Sequence, residues 1–130
     1  MGRAMFASSL VTPSDPLARL VDADVDTSRV VLHVGGLAAA YLRLVKKRAI
    51  TFRGHIWFRD EAVRGDRALV VHELVHVGQY RRMGTPRFLF HYLRDLARAR
   101  FRYSHDLPLE APAYARQAEA TALLENPPSP

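Results

Sequence analysis

Apolar positions along the chain change period several times, and each change marks an element. Residues 1 to 15 carry neither a helical nor a strand repeat and are expected to form a poorly ordered lead-in. It ends in Ser14-Asp15-Pro16, a cap for a short helix striped by Leu17, Leu20 and Val21. The acidic stretch Asp22 to Asp26 reads as a loop. Val30, Val31, Leu32 and Val34, stopped by Gly35-Gly36, predict a strand that also holds His33. Leu37 to Arg48, rich in Ala and Leu with Lys46, Lys47 and Arg48 in its last turn, predicts a short helix crossing the sheet. Ala49-Ile50-Thr51-Phe52 and His55-Ile56-Trp57-Phe58, joined by Arg53-Gly54, predict a hairpin. After a charged loop from Asp60 to Gly65, Asp66 is a natural N-cap for a helix over 67 to 83. Its Leu69, Val70, Val71, Leu74, Val75 and Val77 leave no polar side, which predicts a central, buried helix. Gly84 stops it. A second helix, capped by Thr85 and opening at Pro86, runs to about Arg102 and buries Phe88, Leu89, Tyr92, Leu93 and Leu96. Pro108 and Pro112 open a final helix, about 110 to 125, whose Ala113, Ala115, Ala118 and Ala120 permit close packing on the central one. Pro127-Pro128-Ser129-Pro130 is expected to be a disordered tail.

The sum is an α+β fold, a small and mostly antiparallel sheet packed on one central helix and followed by two more. A chain of 130 residues with 48% apolar and 25% charged positions is long enough for one core and too short for two, so residues 16–126 are read as a single domain. The absence of cysteine excludes disulfides, thiolate catalysis and Cys-rich metal sites. Any metal must be held by His and carboxylate. The net charge of +6 invites a nucleic-acid reading. The basic residues, nearly all Arg, fall instead on expected polar helix faces (Arg81, Arg82, Arg87, Arg94, Arg98, Arg100, Arg102, Arg116), without an aromatic-interleaved or glycine-rich motif. A solvated surface able to meet an acidic protein partner is the simpler reading, and nucleic acid is an unlikely partner. No run is long and apolar enough for a secretory signal or a membrane span, so the chain reads as soluble and cytoplasmic.

The central helix contains His72-Glu73-Leu74-Val75-His76, the HExxH spacing. Residues i and i+4 lie on one helix face with Cβ atoms roughly 5–6 Å apart, so both imidazoles can reach one ion. Glu73 lies about 100° round from His72, placed to reach a water on that ion. Two His and one Glu on a helix apolar nearly all round would carry a desolvation cost of several kcal/mol without such a purpose. A zinc ion (Zn2+) lowers the pKa of a bound water to about 7, and Glu73 is the candidate general base that takes its proton as a peptide carbonyl is attacked. A third protein ligand is then required. Gln79 and Arg82 stand where HExxHxxGxxH needs Gly and His, which removes that pattern. The segment after Tyr103 offers Glu110 at the start of the last helix, with His105 and Asp106 as competitors on the preceding loop. Tyr103, His105 and Tyr114 are candidates for second-layer or oxyanion contacts. The strand His55, Ile56, Trp57 is the candidate for holding an extended substrate by strand addition.

The valine-rich strand with His33, then Ala49-Ile50-Thr51-Phe52, Gly54, Ile56, Phe58, Gly65 and Leu69 to Gln79, resembles a bacterial zincin-like metallopeptidase domain known from extracellular contractile injection system clusters. The resemblance covers roughly residues 20 to 84. Pro108-Leu109-Glu110 with Ala113-Tyr114 is similar to the downstream motif of glutamate-type zincins, in which the Glu is the third zinc ligand. It implies His72, His76 and Glu110 as ligands and a peptide or protein substrate. Leu109 and Tyr114 stand where thermolysin-like enzymes carry Asn and Asp, so the surroundings of the ligands are built differently here. The expected function is zinc-dependent peptide hydrolysis. Its alternative is a metal-bound module of the same fold with little or no turnover, docking through its Arg-rich surface.

Overall fold

Pairing of short β-branched segments sets the frame. The computed structural model describes residues 5–100, 102 and 106–127. Strands β1 (Met5–Phe6), β2 (Val31–Val34), β3 (Ala49–Phe52) and β4 (His55–Phe58) form one sheet in the order β1-β2-β4-β3. The β1–β2 and β3–β4 pairings are antiparallel, and the central β2–β4 pairing is parallel. A parallel neighbour requires a crossover connection, and helix α1 (Gly36–Leu44), packed on β4, supplies it. The described part of the expected lead-in is built into this frame. Met5 pairs with Leu32, Ala7 and Val11 are buried, and the Arg67 Nε donates to the Leu10 carbonyl at 2.8 Å. A two-residue strand has no periodicity to announce it.

Alternation along the strands divides the sheet into an inner and an outer face. Leu32, Thr51, Ile56 and Phe58 point inward and are buried, while Ile50, His55 and Trp57 point outward; Phe52, at the end of β3, sets its ring edge-to-face on Tyr80, centroids 5.8 Å apart. His33, expected as a packed strand residue, stacks on Trp57 (ring centroids 4.9 Å apart) and meets His55 at 2.9 Å on that outer face.

Three described residues other than glycine take left-handed backbone, Lys46, Arg53 and, after the last turn of the helix ending at Arg98, Arg100 with φ 57°. Helix α1 stops at Leu44 rather than Arg48, and Lys46 takes φ 59° while the Lys47 N–H closes onto the Leu42 carbonyl at 2.8 Å. The hairpin turn puts φ 57° on Arg53. Each such position costs about 1–2 kcal/mol for a residue with a Cβ.

Helix α3 (Arg67–Met83) is the central helix that its pattern predicts, starting where Asp66 accepts from the Leu69 N–H at 3.2 Å and stopping at Gly84 with φ 81°. The charged loop before it contains one extra helical turn, α2 (Glu61–Arg64), capped by Asp60 on the Val63 N–H at 2.8 Å. Against α3 pack β3, α2, α4 (Thr85–Arg98) and α5 (Ala111–Glu125). Gly78 lets the loop 22–25 lie on α3, since an added Cβ would stand 3.4 Å from both Asp22 and Val25. Arg82 pairs with Asp22 there. On α5, Ala113 and Ala120 form the contact with no exposure, whereas Ala115 and Ala118 face outward, contrary to the four-alanine expectation. On α4, Phe88 is buried but Leu89 and Leu93 are 38% and 60% exposed. The helix meets α3 along the line of Phe88 and Tyr92, and the two leucines overhang a cleft. No described helix is long and apolar enough to cross a membrane.

Candidate metal centre

One turn of α3 separates His72 from His76, and their ring centroids lie 5.2 Å apart on the side that meets α5. Glu110 occupies the N-cap position of α5, held by a turn in which the Leu107 carbonyl accepts from the N–H groups of Glu110 and Ala111 at 2.8 Å. That turn aims the carboxylate at the histidines. Its Oε1 lies 2.9 Å from His76 Nε2 and 3.3 Å from His72 Nε2. Its Oε2 accepts from the Tyr92 hydroxyl of α4 at 2.8 Å. Three helices therefore converge on one carboxylate.

The outer nitrogens decide what the centre can hold. His76 Nδ1 faces the Gln79 Oε1 at 2.9 Å, and Gln79 is oriented by donating its Nε2 to the Leu109 carbonyl at 2.9 Å. His72 Nδ1 faces the Gln117 Oε1 at 2.8 Å. Each ring thus meets acceptors on both sides, but a neutral imidazole has a single N–H. With that hydrogen on Nδ1, both Nε2 lone pairs point at an anionic oxygen. Lone pairs against a carboxylate repel, so the centre is built for positive charge, either a second proton on each ring or a metal ion between the two nitrogens and Glu110. His72, His76 and Glu110 are 3%, 6% and 3% exposed, so little water reaches the centre to relieve the repulsion.

The titration directions follow from the same contacts. Burial opposes protonation of His76, but the Glu110 contact and the charges of Glu73 and Glu110 raise its pKa above the ordinary histidine value. Burial pushes the Glu110 carboxyl up, and contacts with His72, His76 and Tyr92 overcome it and hold the group well below the usual carboxylate range. Burial, with Glu110 beneath it, drives the Tyr92 phenol far upward, leaving it a neutral donor. The Tyr80 phenol is pushed up to about 12 by burial and by Glu73.

Glu73 is buried beside this centre, and its Oε2 accepts from the Thr51 hydroxyl of β3 at 2.6 Å. Donor atoms of His72, Glu73 and His76 lie within 4.8 Å of one another, so two carboxylates compete for the histidine pair. Glu110 is the one in contact with both Nε2 atoms, while Glu73 is tethered to the sheet. Their roles separate on that geometry. Both groups form the floor of a cleft of about 500 Å³, walled by β3 and residues 45–48 on one side and by α4 on the other.

The other expected site residues divide. Tyr114 reaches the cleft with its ring edge-to-face on His72, centroids 4.5 Å apart. Tyr103 and His105 lie outside the described residues. The strand of His55, Ile56 and Trp57 is corrected as a substrate strand: β4 is paired on both sides and Ile56 is fully buried in the core, so no main-chain edge is free. The open edge beside the cleft belongs to β3. Thr51, Gln79, Tyr92 and Gln117 are the contacts that sequence reasoning missed. Gln79 lies three residues after His76, and Gln117 lies seven after Glu110, helical spacings that place each pair on one face. Thr51 is the one polar inward position of β3.

A family model described as the eCIS core domain matches residues 15–84, a span that includes His72, Glu73 and His76 and stops before Glu110. No curated protein and no solved structure matches the chain.

Proposed function

The chain belongs to the eCIS core domain family, tied to extracellular contractile injection system clusters, and from the geometry of the centre above we propose a zinc-dependent peptidase. His72, His76 and Glu110 hold the metal, and Glu73 is the general base. The observation that supports it most is the convergence of two imidazole Nε2 atoms on one carboxylate oxygen, with both Nδ1 atoms already committed to glutamine oxygens. Zinc bound there supplies Lewis acidity and a water of lowered pKa.

The chain's own groups do the rest. Thr51 holds one Glu73 oxygen, which leaves the other to accept a proton at the cleft floor. The open edge of β3 takes an extended peptide main chain by strand addition. Tyr114, half-buried with its ring on His72, is the group we assign as donor to a developing oxyanion. A second reading, a metal-bound docking module without turnover, is favoured by α1, where Leu37, Tyr41 and Leu44 form an exposed apolar stripe, and by the Arg-rich surface.

Metal analysis of protein purified without added metal tests the centre. One zinc per chain, lost in His72→Ala, is expected; a chain that takes up no zinc even when it is supplied in excess sinks the proposal. Removing the Gln79 contact in Gln79→Ala is expected to weaken zinc binding by about 10–100-fold, because the His76 ring loses the acceptor that sets its tautomer. Competition against a chromogenic chelator reads that change, and an affinity within twofold of the parent would show that Gln79 orders nothing.

A further inference from the structure

Cations bracket the open edge of β3. Before it, Lys46, Lys47 and Arg48 line the cleft over the metal centre, and they include the only two lysines of the chain. After it, Arg53 lines a second cavity of about 450 Å³ with Arg29 and Arg81. Tyr80 of α3 lines both cavities, so the two adjoin at that residue, beside the end of β3. The acids of the first cavity are Glu73 and Glu110 on its floor, and the acid of the second is Asp26, which pairs with Arg29 at 3.8 Å. Arg48 pairs with Asp66 at 2.6 Å. Between the basic ends the α4 wall is apolar, with the exposed Leu89 and Leu93 lining the cleft opposite β3. Lys46 and Arg53 are also the two left-handed residues that flank β3, positions a glycine would occupy with less strain.

Using the cleft assigned above to peptide hydrolysis, we propose that it takes an extended peptide with acidic residues on both sides of an apolar centre. The main chain pairs with β3, the apolar side chains meet Leu89 and Leu93, and the acidic ends meet Lys46 and its neighbours on one side and Arg53 on the other. Four strand residues span roughly 13 Å, and one flanking position at each end puts the acidic groups about five positions apart in the ligand. A nucleic acid carries charge along its whole length, whereas here two basic ends are separated by an apolar stretch.

Binding is read by fluorescence anisotropy on the Glu73→Gln protein as purified, with three labelled octapeptides. One has two acidic residues at each end and Leu-Leu at its centre, the second replaces the ends by lysines, and the third replaces Leu-Leu by Gly-Gly. The first is expected to bind about tenfold or more tighter than the second, with a preference that shrinks as salt is raised, and tighter than the third. The double variant Lys46→Gly, Arg53→Gly is expected to melt no lower than its parent yet to bind the acidic peptide about 2- to 20-fold more weakly. Equal binding of acid-ended and lysine-ended peptides, an unaltered affinity in the double variant, or tighter binding of a labelled oligothymidylate overturns the proposal. Cleavage separates the two ideas. Preference without any cleavage by the wild type removes the peptidase and leaves the groove, and cleavage of all three peptides at one rate does the reverse.

Discussion

Glu73→Gln is expected to retain zinc within about tenfold of the parent and to lower kcat/KM for peptide hydrolysis by about 10²–10⁴-fold. The substitution preserves size and keeps an oxygen that can accept from the Thr51 hydroxyl at the 2.6 Å contact, so the floor of the cleft stays in place. What is lost is the carboxylate's ability to take a proton. Because Glu110 rather than Glu73 lies against both histidine Nε2 atoms, the change leaves the proposed ligand set whole. Metal content and turnover measured on one preparation separate these effects. Turnover equal to the parent would show that Glu73 is not the base, and loss of zinc together with activity would show that Glu73 is itself a ligand.

Removing zinc is expected to lower the melting temperature by about 12–20 °C relative to protein in zinc at a thousand times its dissociation constant. Such occupancy corresponds to about 4 kcal/mol, and a domain of this size moves by roughly 3–5 °C per kcal/mol. The physical origin is the acceptor-rich centre. Without a cation, two buried rings and a buried carboxylate must be satisfied by protons alone, inside the contact that joins α3, α4 and α5. His72→Ala is expected to melt at one temperature with or without zinc. Calorimetry of parent and variant after chelation and after re-addition checks this, and an unchanged melting temperature in the parent would mean that the centre binds no zinc.

Much of the frame was legible along the chain because it is written in local chemistry. Asp66 and Gly84 bound α3 where capping and left-handed geometry place them. The hairpin register closes on Phe52 and His55 around a two-residue turn. The continuous apolar character of Leu69 to Val77 corresponds to a helix buried on nearly every side. Glu110 is the sequence's candidate beside His105 and Asp106, and its oxygen meets both histidines. The contacts around it were harder to see. Along the chain Gln79 serves only to exclude another ligand pattern, and Tyr92 reads as an apolar helix position, because the sequence does not show what a side chain meets across an interface.

The substrate strand shows the same limit most sharply. His55, Ile56 and Trp57 have the composition of a strand that could lie beside the cleft, yet β2 returns through α1 to pair in parallel with β4, which puts β4 inside the sheet and β3 at its edge. Leu89 and Leu93 have the period of a buried stripe, but α4 meets α3 one row away and leaves them over the cleft. The sequence by itself determined the α3 spacing that sets two imidazoles and a carboxylate in reach of one point, since i, i+1 and i+4 relations are properties of a single helix. Tertiary structure alone decided that Glu110 meets both Nε2 atoms, that Gln117 meets the His72 ring and which strand edge borders them. Those depend on segments 20 to 45 residues apart, brought together by burial of faces that each segment presents without naming its partner.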